Sequence, residues 1–190
     1  VSGVGDGKFN PDGTVTRAEF LKMAMDSFGI VGHAYRDGEC LDATNDDWYC
    51  YYLQGALDKD IIPEEMIEDC DFTNVTKTLK ESTEKEKAVR ANVNVYTGKF
   101  YGDKPITREE MAVIATRCKN YKMRNWRDWD NERRIPVFSF KDSDEIDEKY
   151  ISYVVHAYNL KYIDGMEDGR FAPKENLTRA QAAVVMNNLK

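Results

Sequence analysis

Three stretches of the chain carry apolar residues at helical spacing. Phe20, Met23, Ala24 and Phe28 form one stripe, Met111, Ile114, Ala115 and Cys118 a second, and Ala182, Val185, Met186 and Leu189 a third. Recurrence at this spacing predicts amphipathic helices. The same polar signature opens each one: Thr16-Arg17-Ala18-Glu19, Thr107-Arg108-Glu109-Glu110 and Thr178-Arg179-Ala180-Gln181. A Thr followed three residues later by Glu or Gln is a capping box, in which each side chain takes the other's orphan backbone N–H. Thr16, Glu19, Thr107, Glu110, Thr178 and Gln181 therefore have helix-capping roles. A glycine-basic-phenylalanine triplet precedes each box, as Gly7-Lys8-Phe9, Gly98-Lys99-Phe100 and Gly169-Arg170-Phe171. The Gly-to-Thr interval is nine residues each time (16 − 7, 107 − 98, 178 − 169). A single unit buries none of these stripes, so the pattern predicts an all-α fold of three helical repeat units in a pseudo-threefold arrangement, with two insertions.

Two further helices fit upstream positions. One opens at Trp48 with Tyr49, Leu53, Ala56 and Leu57 on one face, and the other runs from Glu148 with Ile151, Val154, Val155 and Tyr158. Tyr150 takes the place of Trp48, and Phe140-Lys141-Asp142 matches Tyr35-Arg36-Asp37. The units then divide as 1–34 (a second half only), 35–121 with a charged insertion at about 64–93, a connector at 122–135 carrying Trp126 and Trp129, and 136–190.

The capping residues explain themselves, but the arginines do not. Each stands at the first helical position, where a cation opposes the helix dipole by a few tenths to about 1 kcal/mol. A salt bridge across a helix interface is one explanation. The other is an anion held by helix N-terminal amides and a guanidinium together. A net charge of −7 argues against a general nucleic-acid surface, so an anionic partner needs local basic pockets. No run is long and apolar enough to insert in a membrane. Cys40, Cys50, Cys70 and Cys118 lack zinc spacing, which favours disulfides, Cys40 with Cys50 and Cys70 with Cys118, with a buried thiol as the alternative for Cys118. His33 and His156 have no recurring acid or nucleophile partner, so no enzyme, cofactor or metal centre is expected. A calcium loop across Asn10, Asp12 and Glu19 is a rival reading, but it puts Lys8 where a carboxylate is required.

Three Thr-Arg-x-[Glu/Gln] boxes in register behind Gly-x-Phe loops, with two aromatic-opened helices upstream, resemble the S-layer homology family. The resemblance implies a non-catalytic, extracellular module that anchors S-layer or other exported proteins to the cell wall. Its expected partner is an acidic, typically pyruvylated secondary wall polysaccharide or a peptidoglycan-linked glycan. Carried over, Arg17, Arg108 and Arg179 are anion contacts. Asp37 and Asp142 stand near the groove with Gly98 and Gly169, and Trp48 and Tyr150 are wall or stacking groups. An S-layer lattice or adhesion domain contacting other subunits through its insertions is the alternative; the cysteines and long insertions are atypical of the family.

Overall fold

The computed structural model describes residues 6–36, 40, 42–69, 98–123 and 140–189. Residues 1–31 with 103–190 form one compact unit and residues 32–102 a second. Among the described residues the regular structure is helical: α1 (Arg17–Ser27), α2 (Cys50–Asp58), α3 (Arg108–Met123), α4 (Glu148–Asn159) and α5 (Arg179–Asn188), with short 3-10 turns at Glu64–Met66 and Ser143–Glu145. Isolated β-bridges occur, but no strand is present among these residues.

All three predicted capping boxes form. The Thr16 amide donates to Glu19 Oε2 at 2.9 Å and the Glu19 amide to Thr16 Oγ1 at 3.2 Å. Thr107 with Glu110 and Thr178 with Gln181 repeat the exchange at 3.0–3.3 Å. Each box opens a helix whose apolar stripe is buried, including Phe20 and Ala24 on α1, Met111, Ile114 and Cys118 on α3, and Ala182 and Val185 on α5. Within the first unit α1 packs on α3 and α5, and α3 packs on α4.

The residue before each Thr does something the sequence does not announce. Val15 N–H donates to the Leu177 carbonyl (3.0 Å), Leu177 N–H to the Ile106 carbonyl (2.9 Å), and Ile106 N–H to the Val15 carbonyl (2.9 Å). The ring closes on itself, and all three side chains are buried. The arginine amides continue the pattern one step outward: Arg17 N–H to the Lys104 carbonyl, Arg108 N–H to Glu175 and Arg179 N–H to Gly13, at 2.8–3.0 Å. First-turn helix amides have no partner inside their own helix. Here each helix start is satisfied by the loop of another.

Helix ends follow a shared rule as well. Gly29, Asp60 and Lys161 have φ of 61°, 53° and 61°. The next residue's amide reaches back in each case: Ile30 to Met25, Ile61 to Ala56 and Tyr162 to Ala157, at 2.7–2.9 Å. These are Schellman closures of α1, α2 and α4. They also fix the register between the two upstream helices. Ala56 corresponds to Ala157, so Tyr49, not Trp48, corresponds to Tyr150. Both tyrosines are buried, whereas Trp48 is 53% exposed.

The disulfide expectation is corrected. Cys40, Cys50 and Cys118 are free thiols, and Cys70 lies outside the described residues. Cys118 faces the core on the stripe of α3, where burial pushes its thiol well above the usual range. It behaves as a small apolar residue. Asp37, Trp126 and Trp129 also lie outside the described residues.

Two outcomes are expected. Thiol reagents should modify half-buried Cys50 in the native chain and reach Cys40 and Cys118 only on unfolding, as mass mapping of the labelled peptides would show. Lys161→Gly should stabilise the chain, because a left-handed residue with a Cβ costs roughly 1–2 kcal/mol; part of this is offset by losing the ammonium packed 4.8 Å from the Tyr158 ring centroid. A rise in thermal midpoint of about 2–4 °C per kcal/mol is expected by calorimetry.

Candidate glycan-binding site

The three arginines begin in the same backbone setting and end in different ones. Arg17 is fully buried, with its Nε 4.0 Å from Glu110 Oε2. Glu110 is also the capping residue of α3, and Lys104 Nζ stands 4.0 Å from its other oxygen. Tyr150 is buried beside this group. Burial pushes its phenol well above the ordinary value, Glu110 adds to the effect, and Arg17 acts against it.

Arg108 is 5% exposed. Its Nε donates to the Phe171 carbonyl at 2.7 Å and its Nη2 to the Asp164 carbonyl at 2.9 Å. Its guanidinium lies 5.0 Å from the Phe171 ring centroid. Burial lowers its pKa from the ordinary arginine value, with Glu175 and Asp142 acting the other way. Arg179 repeats the Arg108 arrangement at the first loop. Its Nε donates to the Phe9 carbonyl at 2.9 Å and its guanidinium lies 5.3 Å from the Phe9 ring centroid. Unlike the other two it is only half-buried. Solvent therefore reaches Arg179 and scarcely reaches Arg17 or Arg108.

At the starts of α3 and α5 the helix N-terminal amides are already occupied. The arginine amides serve neighbouring loop carbonyls, the Glu109 and Ala180 amides serve Pro173 and Pro11, and the next amide along serves the capping Thr. An anion at Arg108 or Arg179 meets the side chain without the helix amides.

The aspartates also have structural work. Asp142 is buried and accepts two successive amides, Phe171 at 2.8 Å and Ala172 at 2.7 Å. In residues 32–102 the equivalent is Asp42, which accepts Phe100 at 2.8 Å and Tyr101 at 2.6 Å. The match of Tyr35-Arg36-Asp37 to Phe140-Lys141-Asp142 is thus replaced by Cys40-Leu41-Asp42. The signal was the distance to the buried helix tyrosine, 7 residues from Asp42 (49 − 42) and 8 from Asp142 (150 − 142), against 12 from Asp37 (49 − 37). Gly98 is buried, and Gly169 turns its loop at φ 85° beside the Lys141 side chain. Trp48 stands exposed with its ring edge-on to Tyr49 at 5.7 Å. Glu109 is buried, which raises its pKa against the pull of Lys174 at 2.6 Å. For the rival calcium reading, the Glu19 carboxylate is held in its capping box, and no cluster of three metal-ligating side chains occurs among the described residues.

The S-layer homology domain model matches residues 1–21, 93–112 and 139–183, the segments that hold the three loops and boxes. These segments belong to the S-layer homology family. The chain is similar along its whole length to "Exoglucanase XynX" of Acetivibrio thermocellus (32% identical) and to "Amylopullulanase" of Thermoanaerobacterium thermosulfurigenes (30% identical). It is likewise 28% identical to "Endoglucanase" of Bacillus sp. (strain KSM-635). It spans only 14%, 8% and 16% of those proteins. The S-layer homology segments form a non-catalytic module associated with the cell envelope, where they serve cell-wall anchoring. The activities in those names belong to proteins most of whose length this chain does not cover. Among the described residues no helix is long and apolar enough to cross a membrane.

Arg108→Ala should destabilise the S-layer homology module. It removes two charge-assisted hydrogen bonds and leaves the buried Phe171 carbonyl without that donor, a loss of about 3 kcal/mol. Chemical denaturation should show this loss, and Arg108→Lys should recover little of it, since one ammonium cannot reproduce the guanidinium fork.

Proposed function

We propose that this module tethers an exported protein to the outside of the cell by binding an acidic wall glycan. The ligand is a pyruvylated secondary polysaccharide or a glycan joined to peptidoglycan. The carrying observation is the match to the S-layer homology family at all three loop-and-box segments. The closed ring of Val15, Ile106 and Leu177 supports three repeat units about one axis, with bounds near 1–34, 35–121 and 136–190.

Arg179 is the anion contact in this reading. Its guanidinium is reachable from solvent beside an exposed aromatic ring, Phe9, on which a sugar face can stack. Arg17 and Arg108 shape the structure around it. A charge-assisted hydrogen bond to a glycan carboxylate is worth roughly 1.5–3 kcal/mol. Arg179→Ala should therefore weaken co-sedimentation with purified wall sacculi about tenfold or more, with the thermal midpoint close to that of the parent. Sacculi stripped of their acidic glycan should lose the difference between the two proteins. Equal binding of Arg179→Ala and parent to intact sacculi would remove Arg179 from the contact.

A further inference from the structure

Within the unit of residues 32–102, the chain ahead of α2 is strapped along that helix. His33 N–H donates to the Tyr51 carbonyl at 3.0 Å and Arg36 N–H to Gln54 Oε1 at 3.1 Å. The strap brings the His33 ring to the end of α2, where its Nδ1 lies 2.5 Å from Asp58 Oδ2. Its Nε2 lies 3.0 Å from Lys59 Nζ. Arg36 Nη2 and Gln54 Nε2 donate to the other Asp58 oxygen at 2.8 and 3.0 Å.

The partners settle the proton positions. An ionised carboxylate only accepts, so Nδ1 carries the hydrogen; an ammonium only donates, so Nε2 presents its lone pair to Lys59. Burial works against the Asp58 charge, but the donors His33, Arg36 and Gln54 hold its carboxyl below the usual range. Carboxylate, imidazole and amine thus follow one another in the order that orients a base and deprotonates a nucleophile. Two other lysines face carboxylates, which favour the ammonium: Lys22 meets Asp26 at 2.6 Å, and Lys174 meets Glu109 and Asp147 at 2.6 and 2.9 Å. Lys59 faces a group able to take its proton. Burial also pulls its amine below the ordinary lysine value, against the Asp58 charge.

The repeat does not require this relay. In the register fixed by Ala56 and Ala157, Asn159 and Leu160 stand at the α4 positions of Asp58 and Lys59. Helix α4 forms and closes with those residues, so the relay is added to the unit and is no part of its construction.

We infer that Lys59 is an acylation site, whose amine takes the acyl group of an activated ester. His33 Nε2 removes a proton from the ammonium, and the freed amine attacks the ester carbonyl. As the carbon–oxygen bond to the leaving group breaks, His33 returns that proton to the leaving oxygen. The nitrogen sheds a second proton to water, which leaves a neutral amide on Lys59 and a free alcohol. Asp58 holds the ring in the required tautomer and steadies the imidazolium. The His33 side chain is half exposed, so an ester can reach the pair. The amide is not released, so each chain takes one acyl group and does not turn over.

The test treats the whole chain at neutral pH with limiting p-nitrophenyl acetate, quenches early and maps acetyl-lysine by peptide mass spectrometry. Lys59 should be acetylated at least about tenfold faster than Lys22 and Lys174, although both of those side chains are more than two-fifths exposed. His33→Gln should bring the Lys59 rate down to theirs. The comparison among lysines of the parent chain needs no variant, so it stands even where His33→Gln fails to fold. A Lys59 rate no higher than those of Lys22 and Lys174 would overturn the proposal. So would a fast Lys59 that stays fast in folded His33→Gln. Labelling is read with no wall glycan present, so its outcome is separate from that of the sacculus experiment.

Discussion

Everything in the first unit depends on the ring of backbone hydrogen bonds joining Val15, Ile106 and Leu177. These are main-chain groups in the buried centre, where water cannot replace a lost partner. Each such bond contributes a net of about 1 kcal/mol when made, and an unpaired buried group costs about 1–3 kcal/mol. Because the ring is closed, each member takes part in two of the three bonds, and sliding it breaks both. It ties together the starts of three helices, α1, α3 and α5.

That geometry explains why arginine is tolerated at the first helical position. The backbone cost of placing a cation there is a few tenths of a kcal/mol to about 1. The gain lies elsewhere, since a long side chain leaving the helix start reaches the glycine loop of another segment. Arg108 and Arg179 both latch a loop phenylalanine by its carbonyl and its ring. Arg17 instead meets Glu110, the residue that caps α3. Repeated sequence has produced two kinds of latch, and only the one at Phe9 remains open to solvent.

The loops carry the strain that the helices do not. Tyr101 and Ala172 occupy left-handed backbone that ordinarily suits glycine or asparagine. Two amides converging on Asp42 or Asp142 offset that cost by charge-assisted hydrogen bonding. The first loop places Asn10 at this position, a residue that adopts the conformation more readily.

Much of the fold was legible along the chain because it rests on local chemistry. A Thr three residues ahead of Glu or Gln caps a helix wherever it occurs, and apolar spacing names the buried face; all three capped helices start where that chemistry places them. The family was legible for the same reason, since its signature is the local spacing of Gly, Phe, Thr and Arg. What the tertiary structure decided were matters of partner and register. Trp48 and Tyr49 both suit a buried aromatic position, and only the Schellman closure at Ile61 puts Tyr49 there. Asp37 and Asp42 both follow an apolar residue by two, and only the fold brings Asp42 to the Phe100 amide. Four cysteines permit pairing, but the distance between side chains is a property of the fold, and Cys40, Cys50 and Cys118 remain thiols. The three arginines share the Thr-Arg-x-[Glu/Gln] setting, and their separation into two buried cations and one accessible cation was decided by the packing.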